Sequence, residues 1–210
     1  MMQSVDKDRG VISTDGTKKA RIERAALTLF AQEGIDQVTT KAIAAAAQVS
    51  EGLIYRHFSN KEGLARALMV AVHNRLTDII REALALEDIR GQIRHIATAY
   101  CELADADWML FRYHILYLHR FPNISADSNT DSNAGSKSGQ CHDPLSLTQK
   151  LLEAAMVRGD IPTEDAHILA PMALGIVLQT AEAKVLGFLT APLGDHLDLF
   201  VRRIEAVLDV

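Results

Sequence analysis

Seven residues near the N-terminus, Glu51-Gly52-Leu53-Ile54-Tyr55-Arg56-His57, have the types and spacing to grip a polyanion. At the 3.6-residue period Leu53, Ile54, His57 and Phe58 fall on one side of a short helix, and Glu51, Gly52, Tyr55 and Arg56 fall on the other. So short an apolar face must be clamped onto neighbouring helices. The opposite face can approach a second polymer closely at Gly52, while Tyr55 and Arg56 reach for its phosphates and base edges. That is the chemistry of a recognition helix in a helix-turn-helix unit.

The elements that position this helix are legible on both sides of it. Thr39 and Thr40 stand where a helix N-cap belongs, and Lys41 lies just inside, where the positive helix end favours an anion. Ile43, Ala44 and Ala47 make a thin apolar stripe that lets the next helix approach. Ser50 is expected to cap the recognition helix. Ser59-Asn60-Lys61-Glu62 reads as a capping box that opens a long helix, with Ser59 at the cap and Lys61 in the first turn. The spacing predicts that Thr40, Lys41, Ser50, Tyr55, His57 and Lys61 mainly meet phosphates, while Gly52 and Arg56 lie nearest base edges. Thr39 and Glu51 belong to the same surface. For His57 both packing and a phosphate contact stay open.

The segment resembles the DNA-binding domain of the tetracycline-repressor (TetR) family of bacterial transcriptional regulators. Thr39, Thr40, Ile43, Ala44, Ala47, Val49, Ser50, Gly52, Tyr55, His57, Phe58, Lys61 and Leu64 carry the resemblance. Ile22, Ala25, Ala26, Leu29, Phe30, Glu33 and Gly34 are similar to the family's first helix and its glycine stop. The likeness spans roughly residues 17 to 70. It departs at Gln48, where the family usually has a turn glycine; a Gln held at positive φ costs on the order of 1 kcal/mol.

Composition bounds the rest. A chain of 210 residues that is 48% hydrophobic and 23% charged can bury a substantial core. Few aromatics, abundant Ala and Leu and no period-two runs of β-branched residues point to an all-α fold. No leader is visible in the first residues, the longest apolar run (168–178) is short and contains Pro171, and Cys101 and Cys141 have no paired spacing. A cytoplasmic protein without a membrane span is the expectation. The net charge of −5 divides unevenly: residues 1–66 carry +2 and the remainder −7. Lys18, Lys19, Arg21 and Arg24 cluster at the start of the first helix, so an N-terminal nucleic-acid face on an acidic body follows.

Along the chain, residues 1–16 read as a flexible arm, 17–60 as a three-helix DNA-binding domain and 61–210 as a ligand-binding and dimerisation domain of six helices, the last part of which the resemblance implies. Helices are predicted at about 17–34, 40–47, 51–58, 61–85, 88–104, 106–120, 144–158, 163–189 and 194–208. Residues 121–142 are rich in Ser, Asn, Asp and Gly and read as a long flexible loop. Pro171 should kink the eighth helix or mark its effective start. The last two helices are long and apolar and are expected to pair two subunits, with Ala170, Gly175 and Ala181 permitting close approach.

The helix at 106–120 holds the only Trp and is dense in aromatics. Ordinary core packing accounts for such residues singly; together with the resemblance, which implies a small-molecule site in the helical domain, they suggest a pocket lined by Tyr100, Phe111, His114 and Gln179, with Trp108, Tyr117 and Glu182 behind. A metal site from His114, His119, Cys101 and Cys141-His142 is disfavoured, since the five-residue spacing of the two histidines does not share a helix face. No phosphate-cradling loop, nucleophile elbow or paired carboxylates occur, so neither a cofactor nor catalysis is expected.

The reading is a homodimeric regulator, a repressor released from a pseudo-palindromic operator by a small apolar or amphipathic ligand. Its alternatives are a transcriptional activator, a helical ligand-binding protein that keeps the N-terminal domain as scaffold, and a helical enzyme.

Overall fold

Thr17 starts the first helix by accepting a hydrogen bond from the Ala20 N–H at 3.2 Å, and Gly34 ends it at φ 95°. Between them α1 (Lys18–Glu33) buries Ile22, Ala26, Leu27 and Phe30 without residual exposure. The computed structural model describes residues 11–12, 15–121, 124 and 143–210. Within these, α2 (Thr40–Ala47), α3 (Glu51–His57) and α4 (Lys61–Ala83) follow in short steps. Then come α5 (Ile89–Ala106), α6 (Trp108–Tyr117), α7 (Pro144–Arg158), α8 (Ala166–Val185) and α9 (Leu197–Leu208), the last preceded by a 3₁₀ turn at Gly194–His196. No strand occurs among the described residues, so the all-α expectation holds.

Each boundary has a local cause. Asp88, Asp107, Asp143 and Asp165 cap α5 to α8 by accepting the N–H groups of Gly91, Leu110, Ser146 and His167. Asp107, at φ −142°, breaks the run into α5 and α6 two residues later than predicted. Gly159 stops α7 at φ 80°, as its position suggested. The eighth helix is shorter than the predicted 163–189 at both ends, because Asp165 caps it and Gly187 turns left-handed at φ 84°. Pro171 lies inside α8, which starts at Ala166, so the proline does not set the helix start. The predicted start of the last helix is instead the 3₁₀ turn.

Two further helix starts differ from the sequence expectation. Asn60, not Ser59, caps α4, accepting the Gly63 N–H at 2.7 Å. Phe58 and Asn60 are both extended (φ −136° and −164°), so the chain runs on one residue before it coils. Ser50 occupies the N-cap position of α3, but its hydroxyl makes no capping bond. Most of the expected arm and loop lies outside the described residues, yet Ile12 and Phe121, one from each segment, are buried against the core.

The helices enclose one continuous apolar core. Of the first three, α1 packs on α4, α6 and α2, and α3 packs on α2; α8 lies against α6, α7 and α9. By length and composition α8 is apolar enough to cross a membrane, with a mean hydropathy of 1.4. Here it is a helix apolar all round that buries one side in the fold and leaves the other open.

Gln48 closes α2 in the left-handed region (φ 54°, ψ 49°), its N–H reaching the Ala44 and Ala45 carbonyls. The turn therefore keeps the geometry a glycine would adopt and bears the strain of a side chain. Gln48→Gly should raise unfolding stability by about 1 kcal/mol in urea titration. An unchanged or lower midpoint would contradict the left-handed turn.

Candidate functional site

The outer surface of α2 and α3 is built around a small polar cluster. Thr39 caps α2 by accepting the Ala42 N–H at 3.1 Å, which leaves Thr40 free to turn toward α3. There the Thr40 hydroxyl donates to the Glu51 carboxylate and stands 3.2 Å from the Tyr55 hydroxyl. The cluster fixes the angle between the two helices from outside, while Ile54 (0% exposed) and Phe58 fix it from within. Tyr55 is 52% exposed, and Lys41, Ser50, Gly52, Arg56 and His57 also face water. His57 thus leaves the apolar face to which the helical period had assigned it, since a seven-residue helix ending at His57 needs only Leu53, Ile54 and Phe58 inside.

Gly52 is the informative member of this surface. A Cβ built there meets nothing within 4 Å, so no neighbour among the described residues requires a glycine. Within an exposed helix glycine costs roughly 1 kcal/mol against alanine. A residue that weakens its own helix and serves no internal contact fits a close approach to something outside the chain.

The basic cluster at the start of α1 is less free than its sequence suggested. Arg21 donates to the Ala47 carbonyl at 2.9 Å through Nε and to the Gln48 carbonyl at 2.6 Å, binding the end of α2 to α1. Arg24 pairs with Asp107, and Lys19 lies 3.7 Å from Glu23. Lys61 likewise gives two of its three donors to backbone carbonyls, Asp36 at 3.1 Å and Val38 at 2.8 Å, tying α4 to the α1–α2 connection.

A second site lies in the body. A cavity of about 340 Å³ opens between α4, α6, α7 and α8. Its walls are mainly aliphatic, with Leu76, Ile80, Leu118, Leu145, Leu174 and Leu178, and its polar groups are His73, Tyr100, His114, His119 and Asp143. Of the pocket residues named from sequence, Tyr100 and His114 line it. Phe111, fully buried, stands behind them, its ring 5.3 Å from Tyr100 and 6.1 Å from His114. Trp108 stacks on Phe111 and carries the Lys184 ammonium 5.1 Å above its ring, facing another groove. Tyr117 turns the other way, onto α1. Gln179 and Glu182 bond each other on the exposed side of α8. His73 and Asp143 escaped the sequence reading, although Met69, His73, Leu76 and Ile80 repeat at four-three-four spacing and put His73 on the core stripe of α4.

The two histidines are unusual. His114 is 2% exposed, its ring 5.7 Å from that of His73 and nearly edge-on, and neither Nδ1 has a hydrogen-bond partner. Burial, and secondarily the neighbouring His73, pushes the His114 imidazole down to about 3. Burial also lowers His73, against a smaller opposite pull from Asp143. Both rings are neutral at neutral pH. Cys101 is buried, its thiol pushed up to about 11 mainly by desolvation, which leaves it unreactive. Among the described residues no group of three His, Cys, Asp or Glu could hold a metal ion; Cys141 and His142 lie outside them.

One helix joins the two sites. From α6, Arg112 donates to the Ala31 carbonyl at 3.0 Å and Tyr117 to the Phe30 carbonyl at 3.1 Å. The Tyr117 oxygen also accepts the Ile35 N–H at 3.2 Å. Just beyond, Arg120 binds both Asp36 oxygens at 2.9 and 2.7 Å and reaches Glu62 at 3.3 Å; it holds the Asp36 carboxyl below its usual range.

Residues 22–68 match the family model of bacterial regulatory proteins of the tetR family. The chain is 37% identical over 82 residues to an uncharacterized HTH-type transcriptional regulator, YvkB, of Bacillus subtilis, covering 39% of this chain and 42% of that protein. It is 32% identical over 108 residues to an HTH-type transcriptional repressor of Mycobacterium tuberculosis, covering 50% and 54%. The matches therefore span about half the length of these curated relatives. Among solved structures it is similar to the fatty acid degradation regulator FadR of Bacillus halodurans, with TM-score 0.73, 21% identity and 91% and 96% of the two chains covered. The FadR of Bacillus subtilis, solved in complex with stearoyl-CoA, gives TM-score 0.70, 19% identity and 88% and 96% coverage. At such identities the likeness is one of fold.

The neutral histidine carries a pH signature. Its folded value lies below the ordinary 6.5, so the unfolded chain binds the proton more readily and stability falls as pH drops below about 6.5 toward 3. One such group contributes a slope of at most about 1.4 kcal/mol per pH unit. His114→Phe should flatten the acid limb of the stability profile by that increment; identical profiles for variant and parent would contradict a buried neutral imidazole.

Proposed function

We propose that this chain, whose residues 22–68 match the family model of bacterial regulatory proteins of the tetR family, is a homodimeric transcriptional repressor, released from a pseudo-palindromic operator by a small apolar or amphipathic ligand. The single observation that carries the DNA-binding half is Gly52, exposed on α3 with no contact in the chain to explain it. In this reading residues 17–60 are the DNA-binding domain and 61–210 the ligand-binding and dimerisation domain. Thr39, Thr40, Lys41, Ser50, Tyr55 and His57 meet phosphates, Gly52 and Arg56 face base edges, and Glu51 holds Thr40 and Tyr55 in place. Lys61 supports the surface mainly through the Asp36 and Val38 carbonyls, with one donor left for a phosphate.

A dimer supplies what one short helix lacks, since two helices read two half-sites about one helical turn apart or a little more. The surface that supports it is the open side of α8. Ile168 (58% exposed), Met172 (49%), Gly175, Gln179 and Leu186 (65%) recur at helical spacing and form one mostly apolar stripe. Ala170 and Ala181, expected at that interface, are instead buried inside the subunit, and Leu178 lines the cavity. Gly175 alone of the three small residues stands on the open side. Burying an unpaired charge in such an interface is costly, so Ile168→Asp and Met172→Asp should give folded monomers by sedimentation. A wild-type monomer at micromolar concentration would overturn the dimer.

The FadR neighbour solved with stearoyl-CoA supports a ligand-responsive body of this fold. The ligand binds the conformation whose two recognition helices no longer fit successive grooves, and so shifts the population away from DNA.

Binding isotherms on a duplex from the gene's own promoter, taken at several salt concentrations, test the reading. Lys41→Ala should reduce the salt slope by roughly one unit per subunit. Arg56→Ala should relax discrimination at one base position per half-site, by roughly 1–3 kcal/mol for a bidentate contact to guanine. Gly52→Ala should stabilise the free protein by up to about 1 kcal/mol, while Gly52→Leu abolishes operator binding. Unchanged affinity in Gly52→Leu would show that α3 is not the reader.

A further inference from the structure

The cavity between α4, α6, α7 and α8 leaves one chemical demand unmet. His73 and His114 both line it, the buried Nδ1 of each has no hydrogen-bond partner among the described residues, and His114 is almost wholly enclosed. A neutral imidazole has one nitrogen that donates and one that accepts, so each unmet Nδ1 can play either part according to tautomer. A buried polar atom without a partner is uncommon in a native structure and calls for a group that fits it.

The charge of the lining restricts that group. Among the described residues the lining holds no Lys or Arg. Asp143 bears the one formal charge, and its oxygens already accept the Ser146 N–H at 2.9 Å and hydroxyl at 2.7 Å. An anionic head would face this carboxylate with no cation to answer it. A cationic head would exchange its water for two neutral rings and one carboxylate already engaged. A hydroxyl meets both needs at once, since it donates one hydrogen bond and accepts another.

The walls define the rest of the molecule. They are aliphatic, and Leu174 lines both this cavity and a smaller apolar pocket of about 40 Å³ between α5, α7, α8 and α9. Ile89, Ile93, Leu151 and Ile204 surround that second space. A hydrocarbon chain entering from the histidines is therefore led toward Leu174.

We propose that the cavity takes an uncharged aliphatic alcohol, its hydroxyl donating to the Nδ1 of one imidazole and accepting from the Nδ1–H of the other, its hydrocarbon lying along Leu76, Ile80 and Leu178 toward Leu174. This rests on the ligand-responsive reading above and names the chemistry of its ligand. Trp108, stacked on Phe111 beside both Tyr100 and His114, gives the site an intrinsic fluorescence reporter.

The test compares 1-octanol, octanoate and octylamine on the full chain at about pH 7.5, where the free carboxylate and ammonium heads are charged, by thermal shift and Trp108 fluorescence. Octanol should bind tightest, by roughly tenfold or more over either charged analogue. His114→Phe and His73→Phe should each erase that preference while keeping affinity for the shared hydrocarbon. The octanol comparison in the unaltered protein stands even if a variant fails to fold. Equal binding of all three probes, tighter binding of octanoate or octylamine, or no binding of octanol up to its solubility overturns the assignment. Promoter binding is read in the same samples. Octanol binding without any affinity for the promoter duplex would leave the alcohol site standing and remove the regulator, whereas promoter binding without octanol binding would remove only the alcohol.

Discussion

A single phenol anchors the end of α1 and, through it, α2 and α3. The Tyr117 hydroxyl donates to the carbonyl of Phe30 and accepts the N–H of Ile35, so it spans the end of α1 and the loop that follows. The last carbonyls of a helix have no partner within it. Here α6 supplies Arg112 to the Ala31 carbonyl and adds Tyr117 to the Phe30 carbonyl, which also accepts the Gly34 N–H. From α1 the same logic passes outward, because Arg21 takes the last carbonyls of α2, and α2 holds α3 through Thr40 and Glu51. The place of α3 is thus set by a relay of side chains onto helix ends that begins at α6. On its other side α6 presents His114 and Leu118 to the cavity. In the proposed function, a ligand that displaces these two residues must either strain or move the grip on α1.

Helix ends and the outer face of α3 could be read from sequence because they depend on local chemistry. Thr39 and Gly34 act within one turn of themselves, and the division of Ile54 and Phe58 from Gly52, Tyr55 and Arg56 follows from the helical period alone. The cavity was harder for a physical reason. Aromatic or apolar residues cover every side of α6 and α8, so no period tells which of their faces turns inward. Tyr117, expected behind the ligand, went to α1; Gln179 and Glu182, expected near it, went to the open side of α8. Leu178 and Ala181, one position before Gln179 and two after it, face inward instead.

Charge was legible only as a count. Lys18, Lys19, Arg21 and Arg24 suggest a basic patch, yet Arg21 and Arg24 serve the fold and Lys19 pairs along its own helix. What remains on the α2–α3 surface is a small number of exposed groups, Lys41 and Arg56 foremost, beside the hydroxyls of Ser50 and Tyr55. In the proposed function such a surface selects DNA through placement more than through net charge. The acidic body, at −7 beyond residue 66, leaves that surface as the part of the chain least repelled by a polyanion.

The most direct test is a hydrogen-exchange footprint of the full chain with and without the promoter duplex at low salt. Added protection is expected over residues 39–58, strongest in α3, with unchanged exchange in α7 to α9. Protection centred on the body, or none in α3 under conditions where the duplex is bound, would contradict it.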